Sequence, residues 1–197
     1  MSRMSGIDTD DVNAQLAQLL PAAQSGDDRA TQRVVALIYP FVLRYARARI
    51  GGGRTPTPED VTQDVCFAVV KALSTYKDQG KPFMAFVYGI AFNKVTDAHR
   101  SYARDRMLPT EDIPDGVSQE ADPEGYALDV DASNKMRELL DVLNEKARNI
   151  IILRVFVGLS AEETAEIVGG TAGSVRVAQH RALARLREAL EEEESAK

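Results

Sequence analysis

The chain has 197 residues, 44% of them hydrophobic and 27% charged, which is enough apolar material for one large domain or two small ones. It has no run of about 18 apolar residues, and its first stretch, MSRMSGIDTDD, is polar and acidic; neither a membrane span nor a secretory signal is expected, and the chain reads as soluble and intracellular. A net charge of −6 speaks against a uniformly basic nucleic-acid binder, and one cysteine, Cys66, with two histidines, His99 and His180, leaves no internal disulfide, metal cluster or cofactor to expect.

In chain order, residues 10–24 predict a first helix limited by Pro21. Asp27 and Asp28 can cap a second helix over 29–50, with an apolar stripe of Val34, Leu37, Phe41, Tyr45 and Ala48. Arg33, Arg44, Arg47 and Arg49 lie elsewhere around it. Pro40 predicts a bend, and Gly51-Gly52-Gly53 ends the helix. Thr57-Pro58-Glu59-Asp60 is a strong helix start: a threonine cap, proline in the first turn, acids at the positive end of the dipole. That helix runs to about Leu73 and buries Val61, Val65, Ala68, Val69 and Ala72. Asp60, Gln63, Asp64, Phe67 and Lys71 share the opposite face at i, i+3, i+4 spacing. Two carboxylates beside an exposed phenylalanine suit a partner-binding surface; a merely solvated face has the same spacing.

A polar loop, STYKDQGKP, then leads into a helix over 83–106. Phe83, Phe86, Tyr88, Phe92 and Tyr102 are interleaved there with Lys94, Arg100, Arg104 and Arg106. Phe83, Phe86 and Ile90 have core spacing, while Asn93, Asp97 and Arg100 continue a polar face. Rings among cations suit unstacked bases, because rings take base faces while cations hold phosphates. Residues 107–131 carry three prolines, eight acids and no base, and predict a flexible linker extended by self-repulsion.

From Ala132 helical periodicity returns. Met136, Leu139, Leu140 and Leu143 form one amphipathic face, Asn144 or Glu145 marks a break, and Ala147, Ile151, Leu153, Val155 and Phe156 pack the next helix. Ser160 and Glu163 make a capping box for a short helix over 161–168, in which Ala165 permits a close crossing. Gly169-Gly170 supplies a turn, and Thr171 caps a longer helix with a buried stripe of Val175, Ala178, Ala182 and Leu186. This is a helix-turn-helix pattern whose second helix turns Arg176, Gln179, His180 and Arg181 outward, as a major-groove reader does. Charge follows the same plan: residues 15–106 carry 13 bases and 8 acids, residues 132–187 carry 9 bases and 6 acids, and the tail from Glu188 carries 5 acids and 1 base. Two basic blocks joined by an acidic linker, with no strand pattern, predict an all-α chain of two small domains, and patches rather than the total charge decide where DNA binds.

Three stretches in this order, EDVTQDVCFAVVKAL, KPFMAFVYGIAFNKVTDAHR and LRVFVGLSAEETAEIVGGTAGSVRVAQHRALARLRE, resemble the extracytoplasmic-function (ECF) sigma factors of bacterial RNA polymerase, chiefly their sigma-D type. The resemblance spans about residues 15–190. It implies a sigma-2-like domain over 10–106, an acidic linker over 107–131, and a sigma-4-like domain over 132–190. It also implies a non-catalytic cytoplasmic subunit that gives core polymerase its promoter specificity and helps melt DNA. Asp60, Gln63 and Asp64 resemble the surface that docks on the clamp of the largest subunits, and a second contact, with the flap, is implied. Tyr76, Lys77, Gln79, Lys81, Tyr88, Lys94 and Arg104, with Asn93, Asp97 and Arg100 at the upstream edge, fall where the family melts and contacts the −10 element. Thr171, Ser174, Arg176, Gln179, His180 and Arg181 fall where it reads the −35 element. Thr171 stands where the family often has proline, Ala178 where it often has a base, and Leu143-Asn144 where Leu-Pro is common. An anti-sigma factor attached to the membrane is a further implied partner; no small-molecule substrate is. The alternatives are a stand-alone dimeric helix-turn-helix regulator with residues 1–106 as a sensor, and an enzyme using Asp60 and Asp64 as paired carboxylates. The first lacks an evident dimer helix, and the second lacks a nearby histidine or phosphate loop.

Overall fold

A computed structural model describes residues 9–50, 55–105 and 138–195, and every element among them is helical. In chain order these are α1 (Thr9–Gln24), α2 (Asp28–Arg49), α3 (Pro58–Leu73), α4 (Phe83–Asp105), α5 (Glu145–Ile151), α6 (Ala161–Val168) and α7 (Ala172–Ser195). The glycine run at 51–53, the segment at 107–131 and Met136 lie outside the described residues.

The first four helices pack around α2, which touches α1, α3 and α4. Its start is fixed by Asp27, whose carboxylate accepts from the Ala30 amide at 2.9 Å. Its buried stripe is Ala30, Val34, Ile38, Val42, Tyr45, Ala46 and Arg49. This corrects the expected stripe: Leu37, Phe41 and Ala48 are only half-buried, and Ile38 and Val42 replace them at the centre. Partners on three sides, rather than one flat face, rotate the buried stripe from where a single-sided helix would put it. Pro40 lies inside the continuous helix on its exposed side. Arg49, expected away from the apolar stripe, is buried, its guanidinium held below its ordinary pKa by desolvation. Burial in turn pushes the neighbouring Tyr45 phenol up to about 12.

Helix α3 begins with a reciprocal cap: Thr57 Oγ1 accepts from the Asp60 amide at 3.1 Å, and Asp60 Oδ2 accepts from the Thr57 amide at 2.9 Å. It buries Val61, Thr62, Val65, Cys66, Val69 and Leu73, with Ala68 and Ala72 at the margin. Helix α1 then shapes the connection to α4 from behind. Gln24 Nε2 donates to the carbonyls of Leu73 at 3.2 Å and Tyr76 at 2.7 Å, closing the end of α3. Asn13 Oδ1 accepts from the Met84 amide at 3.2 Å, satisfying an orphan donor at the start of α4.

In the C-terminal half, Asn144 caps α5 by accepting from the Ala147 amide at 2.9 Å. The helix continues as a π-helical turn over Ile152–Phe156. Widening the helix there lets Ile150, Ile151, Ile152 and Leu153 all be buried in succession. Val155 and Phe156, expected in the core, are instead about half exposed, at 48% and 49%. Helix α6 starts on the expected capping box, with Glu163 accepting from the Ser160 amide at 2.6 Å and Ser160 Oγ accepting from the Glu163 amide at 3.1 Å. Gly169 and Gly170 follow with φ of +77° and +123°, conformations that side chains rarely adopt. Ile150, Ala161, Ala165 and Val175 then close the small core between α5, α6 and α7.

Candidate nucleic-acid interface

The turn between α6 and α7 fixes how α7 is presented. Thr171 Oγ1 accepts from the Ser174 amide and Ser174 Oγ accepts from the Thr171 amide, both at 3.1 Å. Both hydroxyls therefore hold the start of α7, and both side chains remain at the exposed end of the helix. Val175, Ala182 and Leu186 face inward, Ala178 is half-buried, and Arg176, His180 and Arg181 are exposed. Arg176 donates to Glu162 of α6 at 2.7 Å, an exposed pair. Together with the helix-start amide, that contact draws the Glu162 carboxyl below its ordinary pKa. Gln179 is less free than the spacing implied. It is half-buried, and its Oε1 accepts from Arg154 Nε at 3.0 Å. Arg154 also donates to the Leu159 carbonyl, so one guanidinium ties the π-helical turn, the loop before α6 and the outer face of α7 together.

The second candidate surface is the loop over 74–82 with the exposed side of α4. Asp78 accepts from the Gly80 amide at 2.8 Å, and Gly80 has φ of +72°, giving the loop a tight polar tip. Lys77 and Gln79 are exposed on it. Tyr76 is half-buried, its ring centroid 5.0 Å from that of Phe83 and 4.9 Å from that of Phe86. Burial, with Asp78 beside it, raises the Tyr76 phenol above its ordinary pKa. Asn93, Asp97, Arg100 and Arg104 are exposed along α4, with Asp97 and Arg100 paired at 3.2 Å. Lys94 leans away from this row towards α3, 3.8 Å from Asp64.

Tyr88 does not belong to this surface. It is 2% exposed, packs edge-on against Tyr45 at 5.7 Å, and burial holds its phenol far above its ordinary pKa. The reason is phase: Met84, Val87, Tyr88, Ala91, Val95, Ala98 and Tyr102 all fall on the face of α4 turned to the core. Tyr102 is likewise buried, its hydroxyl donating to the Pro56 carbonyl. The interleaved aromatics thus divide between core and loop instead of forming one stacking strip.

On the third surface, Asp60, Gln63, Asp64, Phe67 and Lys71 are all exposed along α3, Phe67 at 63%, with Lys71 Nζ 4.8 Å from its ring centre. A large ring so open to water, flanked by two carboxylates, is the costliest apolar exposure among the described residues.

Compared with known families, residues 34–105 match Sigma-70 region 2, and residues 139–188 match Sigma-70, region 4. The chain is 50% identical over 176 residues to the ECF RNA polymerase sigma factor SigD of Mycobacterium tuberculosis, covering 88% of this chain and 83% of that one. It is 41% identical over 184 residues to the ECF RNA polymerase sigma factor ShbA of Streptomyces griseus, covering 90% and 96%. Among solved structures it resembles CnrH, determined in complex with the cytosolic domain of CnrY, with a TM-score of 0.64 at 26% identity over 88% of this chain and 95% of that one. The chain belongs to the ECF sigma factor family of RNA polymerase.

As a sigma factor it is a promoter-specificity subunit and not a catalyst, which sets aside both the stand-alone regulator and the carboxylate enzyme. Three residues that hold its surfaces in place escaped the sequence reading. Arg154 was discoverable as the one charge inside IILRVF, since a cation in an apolar run needs a built partner. Asn13 and Gln24 left no such signal, because polar residues near a helix end are usual. Among the described residues no helix is long and apolar enough to cross a membrane.

Proposed function

We propose that this sigma factor binds core RNA polymerase through Asp60, Gln63 and Asp64, reads the −10 element with the 74–82 loop and α4, and reads the −35 element with α7. The domain limits that go with this are 10–106, 107–131 and 132–190, the middle segment threading a basic channel of the polymerase. The observation that carries the reading is α7 itself: Val175, Ala182 and Leu186 are buried within the fold, and Arg176, His180 and Arg181 stand exposed beside them as a row of donors. Arg176 and Arg181 are suited to guanine edges or phosphates, and Thr171 and Ser174 to phosphates at the helix start. Gln179, held by Arg154, keeps its amide NH2 for an acceptor on a base.

Promoter opening then needs no covalent step. Lys77 and Lys81, with Arg100 and Arg104, are placed to neutralise strand phosphates, and Gln79 and Asn93 to hydrogen-bond bases or sugars. A base leaving the stack loses a few kcal/mol, and a base gripped by a protein surface recovers roughly 1–3 kcal/mol. Melting is therefore an exchange of contacts drawn from binding energy, with phosphate contacts positioning and base contacts choosing. Tyr88 is no longer among the proposed contacts.

The function places the protein in the bacterial cytoplasm, with core polymerase and promoter DNA as partners and with the flap as a second polymerase contact. CnrH was solved with the cytosolic domain of CnrY, and by that likeness an anti-sigma factor attached to the membrane is the proposed inhibitor.

Arg176→Ala tests the −35 assignment. It should weaken binding of the assembled holoenzyme to its own promoters by about 1–3 kcal/mol, with core polymerase binding retained. Filter binding across promoters with altered −35 boxes checks it. Uniform loss on all of them would make Arg176 a phosphate contact, and no loss would remove it from the interface.

A further inference from the structure

The outward face of α7 carries an apolar residue at its centre. An α-helix turns about 100° per residue, so Val177, two residues after the buried Val175, points almost directly away from the core. Val177 is 52% exposed, and among the described residues neither apolar cluster of the fold includes it. His180 and Arg181, three and four residues further on, lie within roughly 60° of it on either side, and both are exposed.

One turn earlier on the same outward line stands Gly173. It lies within the helix, and among the described residues a Cβ there would meet only Thr171 Oγ1, at 3.9 Å, an ordinary contact. The fold therefore has no steric need for glycine in this first turn, where glycine loses more chain entropy than alanine would. What a missing side chain gives at an exposed position is close approach of something outside the chain.

A protein partner matches this face poorly. Protein interfaces are anchored by contiguous apolar surface, whereas Val177 stands alone among donors. The next exposed large apolar residue of α7, Leu183, is about 120° round the helix from it. The DNA major groove matches on both counts: it offers phosphates and base acceptors to the donors, and one apolar group on its floor, the thymine 5-methyl.

We propose that Val177 reads the 5-methyl group of a thymine in the −35 element, with Gly173 letting that turn of α7 seat close to the base edges. Cytosine lacks the methyl group, so the contact selects an A·T pair in the orientation that puts thymine against Val177. The valine thus adds a choice of base that the donors around it do not make. This inference rests on the assignment of α7 to the −35 element made above.

The test uses holoenzyme assembled from core polymerase and the full chain. Its affinity is measured on a promoter mapped for it, and on copies in which each −35 thymine, on either strand, is replaced in turn by deoxyuridine. Deoxyuridine pairs as thymine does and differs only in lacking the methyl group. With the wild-type chain, one replacement is expected to weaken binding roughly fourfold, the worth of one buried methyl-sized group. Val177→Ala, made at an exposed helical site that favours alanine, should bind both versions of that promoter alike. Leu183→Ala, a comparable truncation away from the outward face, should keep the wild-type difference. A −35 element without an A·T pair, a wild type indifferent to every replacement, or a Val177→Ala chain that still discriminates would overturn the role of Val177. Loss of core polymerase affinity in Val177→Ala would overturn it too, by making the valine a protein contact. Where Arg176→Ala still weakens binding, those failures leave α7 as the −35 reader; where neither Arg176→Ala nor an altered −35 box has any effect, the −35 assignment itself falls.

Discussion

Asp64→Arg is expected to abolish stable binding to core polymerase while leaving the fold intact. Asp64 is exposed, and its one described ion pair is the loose 3.8 Å contact with Lys94, so reversing it costs the isolated protein little. Its thermal midpoint should stay within a few degrees. At a docked interface the same change replaces attraction by repulsion, and disrupting a close charge pair there costs about 2–5 kcal/mol, roughly thirtyfold to a few thousandfold in affinity. Asp60 must be tested differently, because its carboxylate also closes the capping box at Thr57. Asp60→Arg loses that cap, about 1 kcal/mol, before any partner is considered. Asp60→Asn keeps an oxygen acceptor, removes the charge, and isolates the docking contribution. Co-purification with core polymerase and thermal unfolding of the free protein together check this. Unchanged co-purification of the Asp64 variant would remove α3 from the polymerase interface.

Tyr88→Ala is expected to have the largest effect on stability. The ring is buried between α2 and α4 and meets Tyr45 edge-on, so its removal leaves a cavity that the surrounding helices cannot fill. Aromatic-to-alanine changes in cores cost about 3–5 kcal/mol, a large share of the roughly 5–15 kcal/mol that holds a domain folded. Tyr88→Phe keeps the ring and should unfold in urea near the wild-type midpoint. The pair separates a core residue from a base-stacking one: Tyr88→Phe should also leave single-strand binding unchanged. A phenylalanine variant that folds normally but loses strand binding would return Tyr88 to the DNA surface.

Much of this organisation could be read in the sequence because it rests on local chemistry. The caps at Thr57 and Ser160 and the glycines at the turn act within four residues of themselves, and each is where the sequence put it; at Asn144 the sequence marked only a break, and the side chain there caps α5. Helix phase proved less legible wherever a helix has more than one neighbour. On α2, three packing partners bring Ile38, Val42 and Arg49 inside, and no single-sided stripe predicts that. On α4 the aromatic residues looked like one strip because composition carries no phase; the core takes Phe83, Tyr88 and Tyr102, while the half-buried Phe86 packs against Tyr76 of the preceding loop. At Ile152–Phe156 a π-helical turn changes the period itself, which puts Phe156 outside and Ile152 inside. Contacts between distant segments, such as Arg154 with Gln179 or Lys81 with Glu166, depend on how the helices come together and leave almost no mark on spacing.

The most direct measurement is run-off transcription on fragmented genomic DNA of the source bacterium, using core polymerase with and without this chain and mapping the new 5′ ends. The account predicts transcripts that appear only when the chain is added, whose start sites share two short upstream boxes and which vanish with Asp64→Arg. Core polymerase that gains no start sites on adding the chain, or gains them equally with Asp64→Arg, would contradict it.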